Sequence, residues 1–333
     1  MKRKYKVKTA TKTIEREYNY IPVRYIFAVL ITLFEILAII GIVIACCYYI
    51  PYFYIAAWIT EIFCVIKIIA SDDNPDYKVP WLLFVLILPI AGFMLYFLFY
   101  SRKLGKKFIR RLDELKKYRY EKEQAEILNE LERENAHASA QAKMLCSISG
   151  ASVFKDTKQT YYPLYERRVG KSVIENMLAS ATRYMYMTTP YLIIDNDLCQ
   201  SIENAALRGV DVRIIVPHIP DKKLVFGMTK SFYHRLMKSG VRIYEYKPGF
   251  IHAKSYIADD EYAMIGTINL DYRSLVHHFE NGVWMYRCDS IKELKEDIEE
   301  TMAKSIEATP DMLKTGLVTR VIRSVVRIFA PML

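Results

Sequence analysis

Hydrophobic positions are distributed very unevenly along this chain of 333 residues. Residues 22–100 are almost entirely apolar, whereas residues 101–145 are strongly charged. Residues 80–100 carry no charge, and as a helix they would extend about 30 Å, the thickness of the hydrocarbon core of a bilayer. The pattern predicts two or three transmembrane helices in this region. The candidate spans are 22–49, 52–70 and 80–100.

Basic residues flank the apolar region on both sides, at 2–19 and at 101–122. An excess of Lys and Arg marks the cytoplasmic side of a membrane segment, so residues 1–21 predict a cytoplasmic N-terminus. Three crossings would place the two basic flanks on opposite sides of the membrane. Either one apolar run does not cross, or one flank departs from the rule, and the sequence leaves both possibilities open.

Residues 101–158 form a charged linker between the apolar region and the rest of the chain. Positions 103–144 contain no Pro, and no Gly after Gly105, and their charges alternate in sign at roughly helical spacing. This pattern predicts a helix. It suits either a solvated juxtamembrane helix or a coiled-coil stalk that joins two copies of the chain.

From residue 159 to 310 the pattern alternates between helical and strand periodicity. Such alternation predicts an α/β fold, with an α-β-α sandwich around a mixed or mostly parallel sheet. The predicted helices are 171–182, 196–208 and 230–239, and the predicted strands are 184–191, 212–216, 241–246, 251–258, 262–268 and 282–287.

The last segment, 311–333, predicts a basic amphipathic helix. Arg320, Arg323 and Arg327 fall at helical spacing beside apolar residues. Such a helix suits either a membrane interface or packing on the core of the preceding lobe.

Two neighbouring predicted strands carry a chemically suggestive set of side chains. His252 and Lys254 are two residues apart, as are Thr267 and Asn269. On a strand, residues at this spacing point to the same face. An imidazole, a fixed cation and neutral hydrogen-bond donors at one place suit a phosphate group. Gly266 would let the backbone approach closely at this point.

The net charge of +10 indicates an anionic partner, which is either nucleic acid or a membrane surface. The cysteines form no C-x-x-C pair, so the sequence predicts neither a zinc site nor a disulfide framework. The length that remains after the membrane region and the linker leaves room for one catalytic lobe.

The motif that contains these residues resembles the HKD motif of the phospholipase D superfamily. His252, Lys254 and Asp259 are followed by Gly266 to Asn269, in the pattern H-x-K-x4-D-x6-G-[ST]-x-N. The second catalytic lobe of bacterial cardiolipin synthases is similar to four stretches of this chain, 188–196, 209–223, 240–255 and 266–284. Their N-terminal membrane segment is similar to residues 81–99. Those enzymes carry two HKD motifs in one chain, whereas this sequence contains one H-x-K pair.

The resemblance implies a fold and a role for each residue of the motif. The fold is a phospholipase D-like α-β-α lobe with a single HKD motif, preceded by the membrane helices. His252 becomes the nucleophile or proton carrier, and Glu280 the acid that fixes the tautomer of this histidine. Phosphate-binding roles fall to Lys254, Asn269, Thr267 and Gly266. The family uses neither a metal nor another cofactor.

Asp259 belongs to the motif, yet it lies seven residues from His252. Strand alternation therefore places it on the opposite face and favours a structural role. Lys222, Lys223 and Arg273 are further candidates for binding the substrate head group. The two lysines also suit a solvated loop, and Arg273 also suits an ion pair within its own loop.

The resemblance implies a cardiolipin synthase-like phosphatidyltransferase, a multi-pass protein of the bacterial cell membrane. It would join two molecules of the anionic phospholipid phosphatidylglycerol through a phosphohistidine. A homodimer, or pairing with a full-length synthase, would supply the second motif. The alternatives are a catalytically impaired synthase that serves as a lipid-binding or partner subunit, and a single-motif phosphodiesterase or nuclease. The apolar N-terminal region weighs against nucleic acid as the partner.

Overall fold

The N-terminal apolar region is helical. The computed structural model describes residues 2–9, 12–19, 23–73, 75–99, 121–149, 152–154, 159–163, 169–277, 280–314, 316, 321 and 325–332. The first elements are an antiparallel pair, β1 (Lys2–Thr9) and β2 (Lys12–Asn19), and a single long helix, α1 (Val23–Ile69). The predicted spans 22–49 and 52–70 are therefore parts of one continuous helix.

Helix α1 leaves most of its apolar surface exposed. It contains two stretches that are long and apolar enough to cross a membrane, Val29–Ile50 and Tyr52–Ile69. In the first of these stretches no residue is buried. Apolar surface on this scale is unfavourable in water, so it indicates association with a membrane.

The predicted span 80–100 is a helical hairpin and not a single helix. It forms α2 (Pro75–Ile87) and α3 (Pro89–Phe99). The rings of Trp81 and Tyr96 lie 5.7 Å apart. In a straight helix these residues would be about 22 Å apart, so the chain folds back on itself.

The fold-back at Leu88 has a local cause. Pro89 has no N–H to donate, which weakens the helix at this point. Gly92 allows the two arms to approach, because a Cβ atom there would lie 2.3 Å from the carbonyl oxygen of Phe84. The arms are about 20 Å and 16 Å long, and each is too short to cross the hydrocarbon core of a bilayer.

The described part of the linker packs against the lobe. Residues 103–120 of the predicted helix lie outside the described residues, and the rest forms α4 (Glu121–Glu134) and α5 (Ala136–Ser149). The side-chain oxygen of Asn135, between them, accepts hydrogen bonds from two backbone N–H groups and caps α5. The fully buried residues of α5 are Ala138, Ala142 and Leu145. This part of the linker is thus neither a solvated helix nor a free coiled-coil stalk.

The lobe is an α-β-α sandwich, as predicted. Its helices are α6 (Val169–Ser180), α7 (Asn196–Leu207), α8 (Lys223–Lys238) and α9 (Ser290–Ala303). Its strands are β3 (Val153–Phe154), β4 (Gln159–Pro163), β5 (Tyr184–Thr188), β6 (Leu192–Ile193), β7 (Asp211–Pro217), β8 (Arg242–Tyr246), β9 (Ser255–Ala258), β10 (Tyr262–Gly266), β11 (Leu270–Asp271), β12 (Asn281–Tyr286) and β13 (Ser305–Glu307).

One mixed sheet forms the centre of the sandwich. In the described residues its strand order is β13-β8-β7-β5-β9-β10-β12-β4-β3, and β6 and β11 form a separate parallel pair. Strands β5, β7 and β8 are parallel neighbours, and the other pairs in the large sheet are antiparallel. Helices α6, α7 and α8 pack on one face of the sheet, and α9 packs on the other. The predicted mixture of parallel and antiparallel strands is confirmed.

The described part of the C-terminal segment lies between the lobe and the hairpin. The guanidinium group of Arg327 lies 4.4 Å from the centre of the Phe232 ring of α8. The ring of Phe329 contacts that of Phe84 in α2 at 5.5 Å. These contacts favour packing on the lobe over a free membrane-surface helix. Arg320 and Arg323 lie outside the described residues.

Asp259 fastens the end of β9 to the start of β5. Its carboxylate accepts hydrogen bonds from the backbone N–H groups of Thr182, Arg183 and Tyr184, at 2.6, 2.9 and 2.8 Å. Burial by itself would raise the pKa of Asp259, but these hydrogen bonds lower it below its usual value of 3.8. The backbone of Asp259 is left-handed, with φ of 55°, a conformation that Asp and Asn tolerate better than most residues.

Replacing Asp259 with Asn should destabilise the folded chain by about 1–3 kcal/mol. Asn suits the left-handed backbone, but in either orientation its amino group would face at least one of the backbone N–H donors. Because the folded state lowers the pKa of Asp259, the stability difference should be fully present above pH 3.8. It should shrink as the pH falls through the lower, folded-state pKa. Thermal unfolding of the full chain in detergent at several pH values measures it.

Asp289→Asn is the matched control for this experiment. Asp289 precedes α9, and its side chain makes no capping hydrogen bond. The control should unfold at nearly the same temperature as the wild-type chain. An Asp259→Asn chain that is as stable as the control would contradict the structural role of Asp259.

Candidate active site

His252 and Lys254 lie on an extended segment that leads into β9. The strand predicted over 251–258 begins only at Ser255. The carbonyl oxygen of Lys254 still accepts a hydrogen bond from the N–H of Gly266 at 3.2 Å. This bond continues the pairing of β9 with β10 by one residue, so the H-x-K segment lies beside the turn that follows β10.

The two side chains of the H-x-K pair differ sharply in exposure. His252 is exposed, whereas Lys254 is only 9% exposed. The Lys254 ammonium group donates a hydrogen bond to the carbonyl oxygen of His252 at 2.6 Å. Burial lowers the pKa of Lys254, and the negative charges of Glu280 and Asp271 oppose this change. The result is a buried ammonium group immediately beside an accessible imidazole.

The imidazole of His252 makes no hydrogen bond with any residue that the structure describes. Its ring packs against Phe250, with ring centres 5.7 Å apart, and Phe250 lies 6.3 Å from the ring of Tyr191. The hydroxyl of Tyr191 donates to Asp221 at 2.6 Å. Aromatic packing therefore orients the histidine, and its ring nitrogens remain available to a ligand.

The surroundings of His252 favour the neutral imidazole. Burial lowers the pKa of His252 below its usual 6.5, and the charge of Lys254 lowers it further. The charge of Asp221 opposes both effects. Near neutral pH the histidine is therefore mostly unprotonated, which is the form that can act as a nucleophile or accept a proton.

Glu280 forms a hydrogen bond with Thr267 and not with His252. The hydroxyl of Thr267 donates to the carboxylate of Glu280 and accepts from the N–H of Asn281 at 2.9 Å. The expected role of Glu280 in fixing the tautomer of His252 is therefore not seen among the described contacts. Glu280 instead holds the turn after β10 and acts electrostatically on Lys254.

Gly266 permits a close approach between two strands. A Cβ atom there would lie 2.2 Å from the carbonyl oxygen of Asn281 and 2.7 Å from the Cα atom of Gly282. Both are backbone atoms of β12, which cannot yield without separating β12 from β10. The close approach predicted at Gly266 is present. The backbone that approaches Gly266 is that of β12.

The turn after β10 carries an unsatisfied amide oxygen. The hydroxyl of Tyr256 donates to the carbonyl oxygen of Ile268 at 2.8 Å and so anchors the turn to β9. The side-chain oxygen of the next residue, Asn269, is buried and has no hydrogen-bond partner among the described residues. A buried unpaired polar group is unfavourable by about 1–3 kcal/mol. An amide oxygen and a phosphate oxygen are both acceptors, so the group of Asn269 that suits a phosphate is its amino group.

Asp259 is separated from the phosphate-binding candidates by the length of β9. It follows the strand, whereas Lys254 precedes it, and the two lie about 16 Å apart along an extended chain. Asp259 therefore does not share a ligand with Lys254. The structure assigns it to the support of the fold, as its offset in the sequence indicated.

The remaining candidates are exposed basic residues that follow acidic residues of the site. Lys222 and Lys223, at the start of α8, follow Asp221, and Arg273 follows Asp271. Their exposure suits contact with an anionic head group, and it equally suits a solvated surface.

Sequence reasoning missed the aromatic and acidic neighbours of His252. Phe250 precedes His252 by two residues, so the alternation that paired His252 with Lys254 also places Phe250 on the same side. Tyr191 and Asp221 come from the loops that follow β5 and β7. The parallel pairing of β5 with β7 brings the carboxyl ends of these strands together. No local sequence pattern predicts this pairing.

These groups can together bind and attack a phosphate diester. The imidazole is accessible and mostly neutral, an ammonium group is buried beside it, and the Asn269 amide lies on the adjacent turn. The hydroxyl of Thr267 donates to Glu280, so the predicted phosphate contact of Thr267 is not seen among the described contacts. An α-β-α sandwich with an H-x-K pair entering one strand and a G-T-x-N turn leaving the next defines a phospholipase D-like domain.

Comparison with known families agrees with this assignment. Residues 174–302 match the family model described as cardiolipin synthase, PLD-like domain. Residues 61–99, which contain the end of α1 and the hairpin, match the model described as phospholipase D-nuclease N-terminal. The chain is thus similar to bacterial cardiolipin synthases of the phospholipase D superfamily, both in the N-terminal membrane region and in one catalytic lobe.

Several curated bacterial proteins are similar to about half of the chain. Cardiolipin synthase 2 of Bacillus anthracis is 40% identical over 158 residues, which are 47% of this chain and 31% of that protein. Cardiolipin synthase of Geobacillus sp. is 42% identical over 161 residues, 47% and 32% of the two chains. An uncharacterised protein of Streptococcus mutans is 47% identical over 172 residues, 51% and 37%. The matched part thus spans only about a third of the length of these relatives.

The similarity to solved structures is weaker. Phosphatidylserine synthase of Haemophilus influenzae is 19% identical, with a TM-score of 0.41 over 52% of this chain and 47% of that chain. The phospholipase D family member Nuc of Salmonella typhimurium is 17% identical, with a TM-score of 0.39 over 45% and 95%.

Modification of His252 by diethyl pyrocarbonate should have its midpoint below pH 6.5. The neutral imidazole is the reactive form, and burial and Lys254 both lower its pKa. Lys254→Met should move the midpoint upward, because it removes one of these two influences. Peptide mass spectrometry measures the modification at each pH. Exposed His234 on α8 serves as the internal control for the reagent, and a midpoint at or above 6.5 for His252 would contradict the assigned environment.

Proposed function

We propose that the chain is a cardiolipin synthase-like phosphatidyltransferase that acts on phosphatidylglycerol at the membrane. The observation that carries this proposal is the accessible, mostly neutral imidazole of His252 beside the buried ammonium group of Lys254. The exposed apolar surface of α1 supports a substrate that resides in the bilayer. The similarity to curated cardiolipin synthases supports phosphatidylglycerol as that substrate.

The reaction proceeds in two displacement steps. A ring nitrogen of His252 attacks the phosphorus of one phosphatidylglycerol, and the P–N bond forms while the P–O bond to the head-group glycerol breaks. Glycerol leaves with a proton. The hydroxyl of a second phosphatidylglycerol then loses its proton and attacks the same phosphorus. The P–N bond breaks, and the product is cardiolipin. Lys254 and Asn269 stabilise the phosphate oxygens in both steps.

A second imidazole completes the proton transfers. It donates a proton to the leaving glycerol and accepts one from the incoming hydroxyl. Two-fold pairing of identical lobes brings one His252 from each copy into a shared site. The exposed imidazole, which has no hydrogen bond to the described residues of its own chain, suits such a face-to-face arrangement. A full-length synthase with its own motif is the other source of the second imidazole.

The proposal places the chain in the bacterial cell membrane as a multi-pass protein. The two candidate spans of α1, Val29–Ile50 and Tyr52–Ile69, are its passes. Because α1 is one continuous helix in the structure, two passes require it to break. Pro51 lies between the two spans, and its lack of an N–H makes this the weakest point of the helix. The hairpin of α2 and α3 lies next to the second pass and is covered by it on one side, through Cys64 and Ile68.

Expression in a bacterium that lacks its own cardiolipin synthases tests the activity. Lipid mass spectrometry should detect cardiolipin with the wild-type chain and none with His252→Ala, because the proposed nucleophile is gone. His234→Ala removes an exposed histidine of α8 and should leave cardiolipin unchanged. If a well-expressed, membrane-inserted wild-type chain makes no cardiolipin, the stand-alone synthase is excluded, and a partner subunit becomes the leading function.

Co-expression of wild-type and His252→Ala chains in equal amounts tests the shared site. If each site needs one His252 from each of two copies, random pairing leaves about a quarter of the dimers active. Cardiolipin synthesis should then fall to about a quarter of that from the same total amount of wild-type chain. Independent sites would retain about half, and that result would exclude the shared site. Affinity tags that differ between the two chains report the proportion of mixed pairs.

A further inference from the structure

A cavity of about 410 Å³ lies where the hairpin, the lobe and the C-terminal segment meet. Asp76 and Val79 of α2, Asn196 and Phe232 of the lobe, Tyr272 and Arg327 are among its lining residues. None of them belongs to the group around His252 and Lys254. Its volume falls within the range of small-ligand sites, about 300–1,000 Å³.

Specific hydrogen bonds hold the walls of the cavity together. The carboxylate of Asp76 accepts from the backbone N–H of Asn196 and from the hydroxyl of Tyr272, both at 3.1 Å. Burial raises the pKa of Tyr272, and the charge of Asp76 raises it further, so the hydroxyl stays protonated and continues to donate. The contact between Phe84 and Phe329 closes the junction on the C-terminal side. The membrane hairpin is thus attached to the lobe at the rim of the cavity.

Arg327 brings a positive charge to this cavity, which the carboxylate of Asp76 also lines. Its guanidinium group is half-buried and stacks on the ring of Phe232. It forms no ion pair with any carboxylate in the part of the chain that the structure describes. The hydrogen bonds that Asp76 accepts from Asn196 and Tyr272 use its carboxylate, so the donors of Arg327 remain open to a ligand. A phosphate group would satisfy a partly desolvated guanidinium with two parallel hydrogen bonds.

The apolar walls indicate that the phosphate belongs to a lipid. Val79 is exposed and lines the cavity, and Leu86, two turns later on the same face of α2, is also exposed. Ile328 adds apolar surface on the opposite wall. A free phosphate would gain nothing from this surface, whereas acyl chains would cover it.

We propose that this cavity binds the phosphate of a membrane phospholipid, held by Arg327, with the acyl chains along the Val79–Leu86 face of α2. The site is separate from the reacting histidine, so it does not depend on the chain being a synthase. A bound phospholipid would fill the junction between the hairpin and the lobe and keep the lobe in contact with the bilayer.

Native mass spectrometry of the full chain in detergent tests this site. The probes are palmitoyl-oleoyl phosphatidylglycerol, diacylglycerol with the same chains, and inorganic phosphate. The wild-type chain should retain phosphatidylglycerol much better than either of the other two probes. Arg327→Gln should weaken its tightest binding about tenfold, and Arg327→Lys should weaken it less, because the charge remains.

Control variants separate the possible causes of a change. Arg242→Gln removes an arginine that pairs with Glu307 at the far edge of the sheet, and it should bind like the wild-type chain. His252→Ala should also retain the lipid, so a chain without transferase activity still tests the site. Val79→Glu changes an exposed residue that folding does not require, and it should weaken binding by charge repulsion.

Two outcomes would overturn the proposal. In the first, Arg327→Gln and Val79→Glu both bind phosphatidylglycerol as tightly as the wild-type chain does. In the second, inorganic phosphate binds as tightly as the phospholipid, which would assign the cavity to a free anion.

Discussion

The geometry of the active site depends on how closely β10 approaches β12 at Gly266. On one side, the N–H of Gly266 holds the backbone of Lys254. On the other, the carbonyl oxygen of Asn281 occupies the space that a side chain would need. One residue therefore sets the separation between the H-x-K segment and the strand that follows Glu280. A side chain at this position would disturb both at once.

The charges around the site affect its two basic side chains, Lys254 and His252, in different ways. Lys254 is buried, and acidic neighbours counteract the effect of that burial, so it serves as a stationary cation. Its charge in turn disfavours protonation of His252, which remains a base with an available lone pair. Asp221 works against this effect from the aromatic side of the histidine. The reactivity of His252 thus reflects a balance between groups on three separate segments of the chain.

Local spacing predicted the parts of the fold and the site that depend on neighbours in sequence. The alternation of helices and strands appears in the structure as expected, and the hydrogen bonds of Asp259 agree with a structural role. His252 and Lys254 precede β9 and differ in exposure, so their common strand face stays a prediction. The contacts that differ are long-range. Glu280, just before β12, accepts a hydrogen bond from Thr267, just after β10. The spacing of the residues does not indicate whether Glu280 bonds to Thr267 or to His252.

The membrane region and the linker show the same limit. Hydropathy identifies an apolar run, but the fold-back at Leu88 depends on tight contact between Gly92 and Phe84. The small side chains of α5, such as Ala138 and Ala142, let this helix enter the core of the lobe. The sequence assigns it to the linker because of the charges that precede it. Composition predicts whether a segment lies in water or in an apolar environment. The segments that it contacts depend on side-chain packing over long sequence separations.

Because α2 and α3 fold back on each other, they return the polypeptide to the bilayer surface from which they start. Neither arm is long enough to cross the hydrocarbon core, so the hairpin leaves the chain on the side of the membrane where it entered. The number of crossings is then set by α1 alone. Counting residues 80–100 as a further span would reverse the side assigned to every segment that follows it.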